Sequence, residues 1–100
     1  SAATVALIAP ETDDPDTSCS IEYDLGQATM SMMLAAADLG IGSGHSAVMD
    51  QDQARKVLGL PKDRRAAYLI AFGYPADRLL APIRNPNRRP FEDVVHRGRW

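Results

Sequence analysis

The chain has 100 residues and a mass of 10.9 kDa, which is the size of one small domain and excludes two independent hydrophobic cores. Its hydrophobic fraction of 45% and charged fraction of 24% are close to globular averages, so disordered and collagen-like classes are excluded. No apolar run reaches the roughly 18 residues of a membrane span, and the first apolar stretch lacks the basic flank of a signal peptide. We therefore expect a soluble domain without a membrane partner.

The charge is divided unequally along the chain. Residues 1–52 contain nine acidic residues and no lysine or arginine, whereas residues 53–100 contain four acidic and eleven basic residues. The halves carry formal charges of −9 and +7 within a net charge of −2. The basic residues are spread out and are not interleaved with aromatic residues, so nucleic acid is not an expected partner. Charge complementarity within one molecule or between subunits explains the asymmetry better.

The single cysteine, Cys19, cannot form an internal disulfide, which predicts a reducing, cytoplasmic location. No basic residue lies beside it to activate the thiol. His45 and His96 have no cysteine or acidic cluster at metal-ligand spacing, so no metal site is expected.

The first half of the chain predicts a strand, a loop and a long helix. Apolar residues 3–9 indicate a buried strand, and the acidic, polar residues 10–20 indicate a surface loop. Asp24 is a suitable N-cap for a helix over residues 24–39, which Gly40 ends.

The predicted helix is apolar on nearly every face, so it must be covered on all sides. A chain this short has little material to cover it, which predicts contact with a second subunit or with further chain. A central position in a compact monomer is the alternative. The apolar positions are Leu25, Ala28, Met30, Met32, Met33, Leu34, Ala35, Ala36, Ala37 and Leu39.

A glycine-rich turn, residues 40–44, follows this helix and leads into a predicted strand at residues 45–49. A dinucleotide-binding fingerprint needs a strand before its glycines and a helix after them, and the order here is the reverse. The pattern therefore favours a helix end and a turn. Glycine also allows another molecule to approach the backbone closely.

The second half predicts a short helix at residues 51–58, capped by Asp50 or Asp52, and a central strand at residues 66–72 that is buried on both faces. A turn follows, with one helical turn reaching Leu80.

The last part, residues 81–100, contains three prolines before residue 91 and predicts an extended arm. A short helix at residues 91–95 is expected within it. Strands and helices in this order predict an α/β or α+β fold of packed layers.

Four segments in this order resemble the C-terminal half of the FMN-dependent nitroreductase family. They are residues 26–43 (GQATMSMMLAAADLGIGS), 57–61 (VLGLP), 69–75 (LIAFGYP) and 88–96 (RRPFEDVVH). The resemblance runs from about Asp24 to Trp100. It implies a three-layer α+β fold with a mixed sheet packed by helices, and a homodimer formed through helix 24–39.

The resemblance also implies FMN at the subunit interface. NADH or NADPH would reduce the flavin, which would then reduce nitro, quinone or similar electron-poor acceptors in a ping-pong reaction. The backbone near Ser46 and Ala47 would face N5 and the carbonyl edge of the flavin, although relatives often carry glycine where Ala47 stands. No side chain is assigned a catalytic role.

Arg88 and Arg89 match the basic pair that binds the FMN phosphate in the family, and a guanidinium fork suits a phosphate dianion. Without the resemblance they are ordinary solvated charges in a proline-rich tail.

The four segments do not include the family's N-terminal half, which supplies an arginine-rich phosphate motif and helices that shape the pocket. We therefore expect oxidoreductase activity where that half is supplied by the same chain or by a separate one. The alternative is a truncated, non-enzymatic relative that dimerises or sequesters flavin. The sequence does not choose between NADH and NADPH and does not name the acceptor.

Overall fold

A computed structural model describes residues 1–76 and 80–100, in which three strands form one sheet that two helices cover. The fold class is α+β, which confirms the sequence prediction. The elements are β1 (Ala3–Pro10), α1 (Pro15–Asp38), β2 (Gly42–Ala47), α2 (Gln51–Leu58), β3 (Arg64–Gly73) and a 3₁₀ helix, Phe91–Asp93. None of the helices in these residues is long and apolar enough to cross a membrane.

The sheet has the strand order β1-β3-β2, and both pairings are antiparallel rather than mixed. β1 therefore belongs to the same sheet as β3, which the sequence had left open. β3 is central, as predicted, and its Ala66 and Ile70 have no exposed surface. The strand exceeds the predicted residues 66–72 at both ends, because pairing with β1 continues to Arg64 and pairing with β2 to Gly73.

The helix α1 begins nine residues before the expected N-cap, and the predicted loop at residues 10–20 was wrong from Pro15 onward. Asp14 is the N-cap, and its side chain accepts a hydrogen bond from the Thr17 N–H at 3.0 Å. Pro15 occupies the first turn, where its missing N–H costs nothing, and Asp16 lies near the positive end of the helix dipole. The acidic stretch that looked like a loop is thus a well-formed helix start.

The strand β2 also differs from its prediction, since it covers Gly42–Ala47 rather than residues 45–49. Glycine has low strand propensity, so the sequence placed the boundary too late, whereas pairing with β3 includes both Gly42 and Gly44. Met49 lies beyond the strand and is 90% exposed.

The helix α2 has the bounds that the sequence predicted. Asp50 accepts a hydrogen bond from the Gln53 N–H at 2.9 Å, and Gly59 ends the helix at a φ of 66°. The Gln51 side chain fixes the helix start to the sheet. Its Nε2 donates to the Ala66 carbonyl at 2.8 Å, and its Oε1 accepts from the Ala66 N–H at 3.1 Å.

The two helices cover opposite faces of the sheet, which gives three layers. Tyr68 of β3 bonds Glu22 of α1, whereas its sequence neighbour Leu69 lines a groove with Val57 and Leu58 of α2. Successive strand residues point to opposite faces, so these contacts place α1 and α2 on different sides.

Ion pairs join the acidic first half to the basic second half within one molecule. The guanidinium of Arg55 contacts Glu11, and Arg65 contacts Glu22 at 2.6 Å. The charge complementarity predicted from the sequence is therefore used at least partly inside the chain.

The chain is not compact. Its Cα radius of gyration is 17.0 Å, against about 13 Å for a typical 100-residue domain. Among the residues that the structure describes, the buried core consists of Ala9, Ala36, Ala66, Ala67 and Ile70. Residues 80–100 are exposed throughout, and the helix expected at 91–95 is a three-residue 3₁₀ helix. The turn predicted to end near Leu80 falls mainly on residues 77–79, outside the described residues.

Candidate functional site

In the part of the chain that the structure describes, β2 pairs with β3 on one side and with no strand on the other, which we call the free edge of β2. The Val48 N–H donates to the Ala67 carbonyl at 3.2 Å, and the residue pair before it is Ala47 and Tyr68. In an antiparallel ladder the inward and outward amides alternate. The N–H of Ser46 therefore faces β3, whereas those of His45 and Ala47 face the free edge. The family resemblance assigns the backbone near Ser46 and Ala47 to the flavin. Of these two residues, Ala47 directs its N–H to the free edge.

In the described residues, no hydrogen bonds connect the arginine pair, Arg88 and Arg89, to this edge. Arg88 and Arg89 are exposed, and Arg89 Nη2 donates to the Asp93 carbonyl at 3.3 Å. Among residues 1–76 and 80–100, no hydrogen bond or ion pair joins either arginine to β2. The start of the arm does lie beside β2. A Cβ atom added at Gly42 would be 3.6 Å from Leu80 Cδ2, which is van der Waals contact. Within residues 1–76 and 80–100, the Asp93 carbonyl is the one hydrogen-bond acceptor of these two guanidinium groups.

A polar cluster connects α1 to β3 on the same side of the sheet. Glu22 accepts from Arg65 Nη2 at 2.6 Å and from the Tyr68 hydroxyl at 3.0 Å. The hydrogen bond from Arg65 is the main reason that the pKa of Glu22 is lowered from its ordinary value. The same carboxylate raises the pKa of Tyr68, so the tyrosine remains a hydrogen-bond donor at neutral pH. The cluster is anionic at Glu22 and holds α1 in place.

Because the pKa of Glu22 is lower in the folded chain than its ordinary 4.5, its contribution to stability is present above that value. It is lost as the pH falls through the folded pKa. Glu22→Gln is expected to remove this contribution. The free energy of unfolding at pH 7 should fall by less than about 1 kcal/mol, since the Glu22 side chain is 40% exposed. Urea unfolding at pH 7 and pH 3 measures it. The difference between variant and parent should shrink at pH 3, and a difference unchanged by pH would contradict the assignment. Asp24→Asn on the same helix is the control.

Sequence reasoning did not find Glu22, Tyr68, His45 or Gly26 as neighbours of one cleft. The spacing of Glu22 and Gly26, four residues apart, would have placed them on one helix face. That signal was lost because the predicted helix began at Asp24, after Glu22.

Comparisons with known proteins identify the family. The sequence model of the nitroreductase family matches residues 2–74. The chain belongs to the nitroreductase family. The match includes β1, which the resemblance had left out, and it ends before the arm that carries Arg88 and Arg89. A comparison with curated proteins gave no match.

Two solved structures of nitroreductase family proteins share the fold. One, from Clostridium difficile 630, has a TM-score of 0.68 and 21% identity, covering 97% of this chain and 59% of its own. The other, from Streptococcus pneumoniae TIGR4, has a TM-score of 0.68 and 24% identity, covering 86% of this chain and 41% of its own. The chain therefore spans about half the length of these two relatives.

Proposed function

We propose that this chain forms part of a cytoplasmic, FMN-dependent NAD(P)H oxidoreductase that reduces nitro, quinone or similar electron-poor acceptors in a ping-pong reaction. Family membership supports the flavin chemistry, and the observation that carries the proposal is the outward amide of Ala47 on the free edge of β2. A backbone donor that points away from β3, on a glycine-containing edge strand, is suited to the polar rim of a planar cofactor.

The donor groups of the chain fit FMN chemically. Ser46 and Ala47 would line the flavin edge, with the Ala47 N–H directed at the atom that gains negative charge, and Arg88 and Arg89 would bind the phosphate. Bound FMN supplies the hydride acceptor and donor. Exposed ion pairs contribute only about 0 to 1 kcal/mol each, so tight binding requires that another element cover the arginine pair.

We propose a homodimer through α1 as the source of that cover. Large apolar side chains occupy one exposed flank of α1, where Tyr23, Met30 and Leu34 are 71%, 57% and 63% exposed. The neighbouring exposed stripe of α1 is polar instead, with Asp24, Ser31 and Asp38 at seven-residue spacing. Contiguous apolar surface of this kind is typical of an interaction site. The flank continues into the groove that Leu80, Ala81 and Pro82 form with Ser43.

The test is an FMN titration of the purified chain, followed by NAD(P)H oxidation with menadione or nitrofurazone as acceptor. Parent protein should bind flavin and, without acceptor or oxygen, oxidise a single NAD(P)H per bound flavin, whereas continuous turnover should require the acceptor. Arg88→Ala combined with Arg89→Ala should weaken FMN binding about tenfold or more, since hydrogen bonds to charged groups are the strong class. Arg97→Ala in the same arm should bind as the parent does.

Two other results are informative. FMN binding without NAD(P)H oxidation would favour the non-enzymatic, flavin-sequestering alternative. A chain that binds no FMN would reject both flavin roles for these residues.

A further inference from the structure

Gly26 lies in the interior of α1, where glycine is among the least favourable residues for helix stability. Crowding does not explain its presence, because a Cβ added at Gly26 would meet no atom within 4 Å in the part of the chain that the structure describes. The space beside the helix backbone at this point is open to another molecule.

Gly26 lines a cleft of about 320 Å³ between α1 and the strands β2 and β3, which we call the Gly26 cleft. Its volume is at the lower end of the range of roughly 300 to 1,000 Å³ found for small-molecule pockets. The other lining residues are Glu22, Thr29, Met30, Met33, His45 and Tyr68. A cleft of this size has room for a single ring system.

One part of the cleft is apolar and adaptable. Met30 and Met33 bring thioether side chains beside the open space at Gly26. Methionine sulfur makes favourable contacts with aromatic rings, and its flexible side chain adapts to their outline. A planar aromatic ring fits this combination better than a bulky aliphatic group, because the glycine lets the ring lie directly against the helix backbone.

Another part of the cleft is a hydrogen-bond acceptor. Each carboxylate oxygen of Glu22 receives one hydrogen bond, from Arg65 and from Tyr68 respectively. A carboxylate has about four acceptor positions, so capacity remains for a further donor. The side chain is 40% exposed and is therefore within reach of a ligand. A ring that carries an N–H donor would be recognised here.

The cleft adjoins the free edge of β2. His45 lines it and lies two residues before Ala47, with its backbone amide on the same free edge. A ring in the cleft would therefore lie beside the strand edge to which the proposed function assigns the flavin.

We propose that the Gly26 cleft is the acceptor subsite, and that it takes electron-poor aromatic rings bearing a primary carboxamide or amine. The ring lies against Met30 and Met33, and the N–H donor bonds to Glu22. The role of the ligand as electron acceptor rests on the proposed function, whereas its binding to the cleft is measured without flavin.

The experiment is a ligand-observed NMR titration of the full chain without FMN, using 4-nitrobenzamide. N,N-Dimethyl-4-nitrobenzamide, which has no N–H donor, is the comparison ligand. The parent should bind the primary amide at least fivefold more tightly. Gly26→Leu fills the open space and should weaken binding at least tenfold, with a thermal midpoint no lower than that of the parent. Gln27→Leu, which adds the same side chain at the next position, about 100° around the helix from Gly26, should bind as the parent does.

Glu22→Gln should reduce the preference for the primary amide while ring binding remains. Parental binding by Gly26→Leu, or no binding of 4-nitrobenzamide to the parent, would overturn the subsite. Sedimentation of Gly26→Leu as a smaller species than the parent would also overturn it, because Gly26 would then serve a subunit contact. An FMN titration run in parallel separates the two proposals, since FMN binding without nitrobenzamide binding rejects the subsite alone. Nitrobenzamide binding without FMN binding supports the cleft as a site and rejects the flavin role.

Discussion

Ala47→Pro is expected to lower the rate at which NAD(P)H reduces the bound flavin by about 10² to 10³, the usual effect of removing one backbone donor from a site of developing negative charge. Proline has no N–H, and the amide it would remove points away from β3. Proline is tolerated on an edge strand when its nitrogen faces outward. The substitution therefore removes the proposed flavin contact and leaves the ladder intact.

Stopped-flow reduction of the FMN-loaded chain measures this effect, and the flavin reduction potential should also become more negative. Ala47→Gly keeps the N–H and should reduce at nearly the parental rate. Ser46→Pro removes an amide that faces β3 and should instead lower the free energy of unfolding. Ala47→Pro protein that reduces its flavin as quickly as the parent would reject the Ala47 contact.

Local signals were enough to predict some of the fold. The bounds of α2 follow from Asp50 at its start and Gly59 at its end, and both act through atoms within four residues. The family was predicted from short segments whose order and spacing are carried by the sequence itself. Caps and motifs of this kind require no knowledge of distant contacts.

The start of α1, the amide directions in β2 and the position of the arginine pair could not be predicted in this way. They depend on contacts between residues distant in sequence, or on which of several similar residues acts as a cap. Several aspartates could have capped α1, and only the bond from the Thr17 N–H to Asp14 identifies the one that does. Whether Ser46 or Ala47 has the outward amide depends on the register with Tyr68, twenty or more residues later. Sequence alone also could not place Arg88 and Arg89, because no periodic pattern fixes the conformation of the arm.

The exposed apolar flank of α1 leads to the second large effect. Leu34→Glu is expected to convert the proposed dimer to monomer, raising the dissociation constant by more than about 100-fold, since an unpaired buried charge costs several kcal/mol. Leu34 is 63% exposed in the single chain, so a glutamate there remains solvated in the monomer and should leave folding unchanged. Glutamate also has good helix propensity.

Sedimentation velocity over a range of concentrations measures this change, with circular dichroism as the check on folding. Ala35→Glu makes the same charge change at the next, exposed position of α1, about 100° around the helix from Leu34, and should sediment as the parent does. Because the arginine pair requires cover from another element, Leu34→Glu should also weaken FMN binding without altering any residue assigned to the flavin. A monomeric variant that binds FMN as well as the parent would mean that the flavin site is completed within one chain, and a dimeric variant would mean that the subunits meet elsewhere.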